Sequence, residues 1–406
     1  MDMKEWRSSR TFMRFTEGLS RIEKIAVVGK VRTFFLENDL SDVGNAAFYG
    51  YFAINILMKA FTYDHGDQIY KCFFLFGMLF LAIKVLTTRY TMREVFWAAA
   101  LMGLGLLLSV INRQNTWLLL FATAIGMKNC KFYRLIQIAV YIRVISLVLI
   151  VTGSVFGAFD IGFKTTPDTS YVEIPVYSFA MNEPNTAFLA VFVTLLLLLY
   201  YNYTKLDWRW FLGTSAVALI FYKFTFCRTG IAAFFFCWGL IIFEKLVKSK
   251  KVKFVLALSV PVGALFSLTT MMVYNGGNSV MRLLNHFVSG RIYIMNGYYS
   301  ELGLSLIPRT QEYFYGNYYG LIDNTYMFVL LYCGWIIALF FFYIVAKTLF
   351  RLYQGGHYKE LVMIGAMALY GVLEQFVMNG FMNPFILLCG GLMYPGIFEG
   401  IDGERA

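Results

Sequence analysis

Residues 185–203 read NTAFLAVFVTLLLLLYYNY, nineteen positions without a single charge, and the run ends just before Lys205. An α-helix needs about 20 apolar residues to cross the hydrocarbon of a bilayer, where every backbone N–H and C=O must be satisfied within the segment. Working outward in both directions, about twelve such runs recur, at 45–62, 69–87, 95–111, 115–128, 135–157, 185–203, 210–226, 229–246, 253–274, 324–347, 361–379 and 383–399. The composition agrees with this pattern. Of 406 residues 59% are hydrophobic and 15% charged, and the mean hydropathy is +0.62, whereas soluble domains carry about a quarter charged residues. The expected fold class is therefore all-α, a polytopic integral membrane helical bundle with the lipid bilayer as its solvent. Its membrane domain covers 44–400, between an N-terminal segment 1–43 and a tail 401–406.

The net charge of +11 does not make the chain a nucleic-acid binder, because the basic residues fall between apolar runs and not on one soluble face. They read as topology signals. With the N-terminus in the cytoplasm, the inner loops hold Arg89 and Arg93, then Lys128, Lys131 and Arg134, then Lys205 and Arg209. The run from Lys248 to Lys253 and the set Lys347, Arg351 and Lys359 complete this side. The opposite loops, 63–68, 112–114, 159–184, 227–228, 275–323 and 380–382, are poor in lysine as a group. Both termini are thus expected in the cytoplasm and both long loops outside. Arg14, Arg21, Lys24, Lys30 and Arg32 interrupt every candidate signal core. Phe12, Phe15, Leu19, Ile22 and Ala26 recur at helical spacing, which fits a basic amphipathic helix on the anionic leaflet as well as a solvated tail. The six cysteines show no CxxC pair and read as free thiols. No fixed-period repeat or inverted pair of broken helices favours a transporter.

Loops of about 25 and 50 residues in a tightly threaded membrane protein carry function more often than not. The first ends in Met181-Asn182-Glu183-Pro184-Asn185-Thr186, with Glu183 at the mouth of the next helix. A short outer turn holds Phe226-Cys227-Arg228-Thr229-Gly230. The second long loop holds His286, Ser289-Gly290-Arg291 and Pro308-Arg309, and it closes on Tyr315-Gly316-Asn317-Tyr318-Tyr319-Gly320-Leu321-Ile322-Asp323-Asn324-Thr325-Tyr326. Arginine presents a fixed fork of donors that matches phosphate oxygens at any physiological pH. Arg228, Arg291 and Arg309 together suit a pyrophosphate-linked lipid, although each alone is an ordinary loop charge or interface anchor. Asn185 and Asn324 offer hydrogen bonds to sugars. Tyr315, Tyr318, Tyr319 and Tyr326 offer stacking faces and equally fit an interfacial aromatic belt. A rival metal reading rests on Asp64-His65-Gly66-Asp67, but a polar turn between two helices explains that cluster. Arg143 and Glu374 lie inside apolar runs, where charge is costly; they are candidates to pair or to line a lipid path.

The order Asn-Glu-Pro-Asn, Cys-Arg-Thr-Gly, Ser-Gly-Arg and Asp-Asn-Thr-Tyr, followed by Gly334, resembles the Wzy polysaccharide polymerase and O-antigen ligase superfamily over roughly residues 180–340. Family patterns commonly read His-Pro-Asn, Ser-Arg-Thr-Gly, Gly-Arg and His-Asn or Asp-Asn. Here Cys227 stands where serine is usual and Glu183 where histidine is common. The resemblance implies a GT-C-like membrane glycosyltransferase in the bacterial cytoplasmic membrane. Such an enzyme transfers glycan from an undecaprenyl-pyrophosphate carrier to an acceptor sugar outside the membrane, with neither a nucleotide sugar nor an obligatory metal or cofactor. It further implies that Arg228 and Arg291 hold the pyrophosphate and that Asp323 is the base, with Glu183 and His286 as alternatives. The implied product is capsule, exopolysaccharide or O-antigen, and the implied partners are the lipid-linked donor and acceptor, a flippase and a chain-length regulator. A ligase acting on a lipid or protein acceptor is the nearest alternative. A polysaccharide or lipid-linked oligosaccharide exporter is the alternative from another class.

Overall fold

The computed structural model describes residues 40–63, 67–167, 173–310 and 322–402. The amphipathic segment 12–26, the residues Asp64, His65 and Gly66, and Tyr315, Tyr318 and Tyr319 lie outside the described residues. The helices are α1 (Ser41–Ala60), α2 (Gln68–Thr87), α3 (Met92–Asn112), α4 (Thr116–Gly126), α5 (Phe132–Val155), α6 (Pro184–Tyr201), α7 (Trp208–Thr225) and α8 (Arg228–Leu246). They continue as α9 (Lys250–Ala257), α10 (Ser259–Val273), α11 (Ser279–Phe287), α12 (Arg291–Leu302), α13 (Thr325–Cys333), α14 (Trp335–Gly355), α15 (Tyr358–Leu373) and α16 (Gly396–Asp402). Between α5 and α6 an antiparallel hairpin pairs β1 (Phe163–Pro167) with β2 (Glu173–Tyr177) in the register Phe163↔Tyr177 to Pro167↔Glu173.

Among the described residues six helices, α2, α3, α5, α6, α8 and α14, are long and apolar enough to cross a membrane. The number is seven if α9 and α10, bent by 47° at their junction, are one span. The chain is thus a helical membrane protein, and its described residues hold fewer full-length spans than the sequence has apolar runs. Four runs are interrupted: 361–379 ends its helix at Leu373, where Glu374 takes extended backbone, and the other three break at glycine or proline. Run 253–274 breaks at Leu258 because Pro261 has no N–H for the Ala257 carbonyl and its ring collides there. Run 324–347 breaks at Gly334, whose φ of +78° a helix cannot contain. A Cβ at Gly334 would stand 2.7 Å from the Ile307 backbone, and the freed backbone groups are met by the loop Ser305–Arg309. There Trp335 N–H donates to Ser305 O at 2.9 Å and Arg309 N–H to Tyr332 O at 2.9 Å. Run 383–399 holds Pro384, Gly390, Gly391 and Pro395, and it forms a 3-10 segment (Pro384–Leu392) and the short α16.

Helix α6 is the axis of the bundle, with 72% of its residues buried, whereas α3 is mostly exposed. Lipid is as apolar as leucine, so contact between helices depends on close packing and polar links more than on the hydrophobic effect. Gly230 lets α8 approach α6, since a Cβ there would meet Phe188 at 2.2 Å. Phe192 packs edge-on against Tyr370 of α15 at 4.6 Å between ring centroids, and Tyr200 OH donates to Glu360 at 2.7 Å. The bundle has two polar rims, about 28 Å apart by the rise of the 19-residue α8. At one, Lys253 pairs with Glu244 at 2.6 Å and sits over the Tyr358 ring at 4.5 Å. The starts of α8 and α12 and the end of α15 form the other. Arg143 in α5 is buried and donates to Phe381 O at 3.0 Å; it does not pair with Glu374.

Candidate functional site

The second rim is assembled by two loop helices. Asn278 caps α11 through Oδ1, which accepts from the N–H groups of Val280 and Met281. The chain then reverses at Ser289 (φ +55°) and Gly290 (φ +84°), and Asn285 Oδ1 accepts from Tyr293 N–H at 2.9 Å, stapling the turn to α12. Asn296 Nδ2 donates to Met271 O at 2.8 Å and pins α12 on α10. Between this hairpin and the start of α8 lies a cavity of about 460 Å³ lined by Arg228, Tyr274, Arg282, Asn285, His286, Ser289 and Gly290.

Its electrostatics are one-sided. Two guanidinium groups and an imidazole face it, and no carboxylate lines it. Neither Arg228 nor Arg282 forms an ion pair among the described residues. Arg228 lies 5.4 Å from the Phe226 ring and Arg282 donates to Ser279 Oγ at 3.4 Å. Both forks keep donors for an anion, and the space is that of a small-molecule site.

One residue past the cavity wall begins a different arrangement. Arg291 is buried, its Nη2 lying 2.8 Å from Glu374 Oε1 and 3.7 Å from Asp323 Oδ2, and its Nη1 donating to Val288 O at 3.4 Å. Partial burial raises the Asp323 carboxyl from its ordinary value, and the neighbouring Arg291 charge offsets part of that rise. A base so poised accepts a proton nearer neutrality than a solvated aspartate. Arg291 therefore holds two carboxyl groups at the start of α12 and does not line the cavity.

The chain matches no protein-family model, no curated protein and no solved structure.

The other candidates fall into distinct places. Arg228 and His286 meet in the cavity. Arg309 donates to the carbonyls of Leu302 and Gly303 at 2.6 and 2.9 Å, so its fork caps the end of α12. Asn324 is fully buried: Oδ1 caps α13 by accepting from Met327 N–H at 3.0 Å, and Nδ2 donates to Ser267 Oγ and Val372 O at 2.9 and 2.8 Å. Tyr326 is buried with its hydroxyl on Ala368 O at 2.8 Å. Both knit α10, α13 and α15 together and leave no face for a sugar. Glu183 is exposed at the start of α6 and pairs with Lys164 of β1 at 2.7 Å, and Asn185 is exposed in the first turn; neither lines the cavity. Tyr319 lies outside the described residues. Arg282, Asn285 and Glu374 were not singled out as site residues by the motif reading. Arg282 and His286 stand four apart in SVMRLLNHF, whose apolar residues recur at helical spacing, and that periodicity was the available signal.

Proposed function

We propose that the chain is a membrane glycosyltransferase that extends polysaccharide from polyprenyl-pyrophosphate-linked repeat units on the outer face of a bacterial cytoplasmic membrane. The observation that carries this reading is the acid-free cavity of Arg228, Arg282 and His286, with the half-buried Asp323 held by Arg291 next to its wall. In the reaction, the acceptor hydroxyl transfers its proton to the Asp323 carboxylate and its oxygen bonds to the anomeric carbon of the donor. The bond from that carbon to the phosphate oxygen breaks, and the electron pair leaves with the pyrophosphate. Arg228 and Arg282 then meet the charge that develops on the leaving group, where a preorganised donor lowers the barrier most. Arg291 positions Asp323. A GT-C-like arrangement with about twelve segments in the membrane, outer loops 158–184 and 275–323 and both termini in the cytoplasm, belongs to the same proposal.

The test is extension of a synthetic undecaprenyl-pyrophosphate repeat unit by the purified protein, read as a ladder of products. Arg228→Ala and Arg282→Ala are each expected to lower turnover by about a hundredfold or more. Ladder formation at the wild-type rate in both variants refutes the assignment of the leaving-group site.

A further inference from the structure

A second cavity, of about 600 Å³, opens at the rim opposite the proposed reaction site, between α3, α4, α14 and the 3-10 segment. Its walls are apolar, with Trp97, Leu101, Leu120, Phe121, Phe340 and Ile344 among them. Its mouth is cationic. Arg93 stands at the start of α3, and Lys347 and Arg351 near the end of α14, all three exposed. The one carboxylate in the lining, Glu94, is taken by Lys128 at 2.5 Å and by the Thr91 N–H at 2.7 Å, so it does not neutralise them. None of Arg93, Lys347 and Arg351 forms an ion pair among the described residues; Lys347 reaches only the Tyr343 hydroxyl, at 3.4 Å.

We infer that this groove binds an anionic phospholipid, with the phosphate headgroup at Arg93, Lys347 and Arg351 and an acyl chain along the apolar wall. Three unpaired cations at one end of an apolar trough match a ligand that is charged at one end and hydrocarbon at the other. A free phosphate would leave the trough unused, and a zwitterionic lipid would leave the net charge unmet. Measured from Arg351 to Phe340, eleven residues of helix give the trough a length of about 16 Å. The three cations lie at the ends of α3 and α14, in the stretches whose positive charge is expected on the cytoplasmic side, where anionic lipid attracts lysine and arginine. The inference is independent of the reaction proposed above.

The experiment is native mass spectrometry of the full-length protein from mild detergent, titrated with phosphatidylglycerol and with phosphatidylcholine of identical acyl chains. Phosphatidylglycerol is expected to bind about tenfold more tightly. The double variant Arg93→Gln/Arg351→Gln is expected to erase that preference and leave phosphatidylcholine binding unchanged. Leu101→Trp, which fills the trough and keeps the charges, is expected to weaken phosphatidylglycerol as well. Equal binding of both lipids in the wild type marks an ordinary annular lipid and overturns the inference. A preference that persists in the double variant overturns it too, as does full displacement by inorganic phosphate. Because all three cations are exposed, Lys347→Gln provides a single-charge variant should the double one not fold.

Discussion

The Arg291–Glu374 contact makes a quantitative claim about stability. The two side chains are 7% and 14% exposed and meet at 2.8 Å, with Asp323 3.7 Å away. Replacing one partner of such a pair leaves the other charge buried without compensation, which costs about 3–5 kcal/mol, whereas replacing both is close to neutral. Arg291→Met is therefore expected to lose about 3 kcal/mol. Glu374→Gln keeps an acceptor for the guanidinium and should lose about 2 kcal/mol. The double variant should lie within about 1 kcal/mol of the wild type, because the orphaned Glu374 charge is gone and only the half-buried Asp323 loses its guanidinium. Unfolding by sodium dodecyl sulfate in mixed micelles, followed by tryptophan fluorescence, measures all four corners of this cycle. Losses that simply add, with coupling below about 0.5 kcal/mol, would refute the claim that the two residues act as one unit. A loss under about 1 kcal/mol for Arg291→Met alone would be equally damaging, since that is the range of an exposed pair.

Asp323 gives a pH prediction. Its folded carboxyl titrates above the unfolded value, so its stability contribution is complete below the unfolded pKa and is lost as pH rises through the folded one. Asp323→Asn should remove that fall in stability and, as loss of a general base, lower turnover about a hundredfold and flatten the acidic limb of the rate profile; an unaltered profile would exclude the base role. Asn324→Ala deletes a helix cap and two buried hydrogen bonds and is expected to cost about 3 kcal/mol in the same micelle titration. Gly334→Ala forces a methyl onto the Ile307 backbone at positive φ and should cost about 2 kcal/mol or more; a neutral result would mean that the α13–α14 break is not held as described.

The membrane class was legible because lipid allows the backbone few solutions, and long uncharged runs such as 185–203 have no other use. Helix breaks were less legible, since hydropathy averages over the residues that cause them. Gly334 and Pro261 each sit in an apolar run that still scores as continuous, and only the individual chemistry of glycine and proline announces the interruption. At the site, Arg228 and His286 could be singled out as polar groups in the stretches between apolar runs. The pairing of Arg291 with Glu374, 83 positions away, depends on how α12 docks against the end of α15, which no local pattern encodes. The same limit applies to Asn324 and Tyr326. A loop-edge motif looks identical whether its side chains turn toward a ligand or inward to join three helices.

Helix α11 supplies Arg282, Asn285 and His286 to the cavity, yet none of its residues is buried. It rests against the rim without penetrating the bundle, and the three-residue turn Val288, Ser289 and Gly290 sets its angle to α12. Exchange of Arg282, Asn285 and His286 can therefore alter the charge that the cavity presents, while Leu284 keeps its packing against the bundle. In such a protein, selectivity and bilayer anchoring are free to drift apart over evolutionary time.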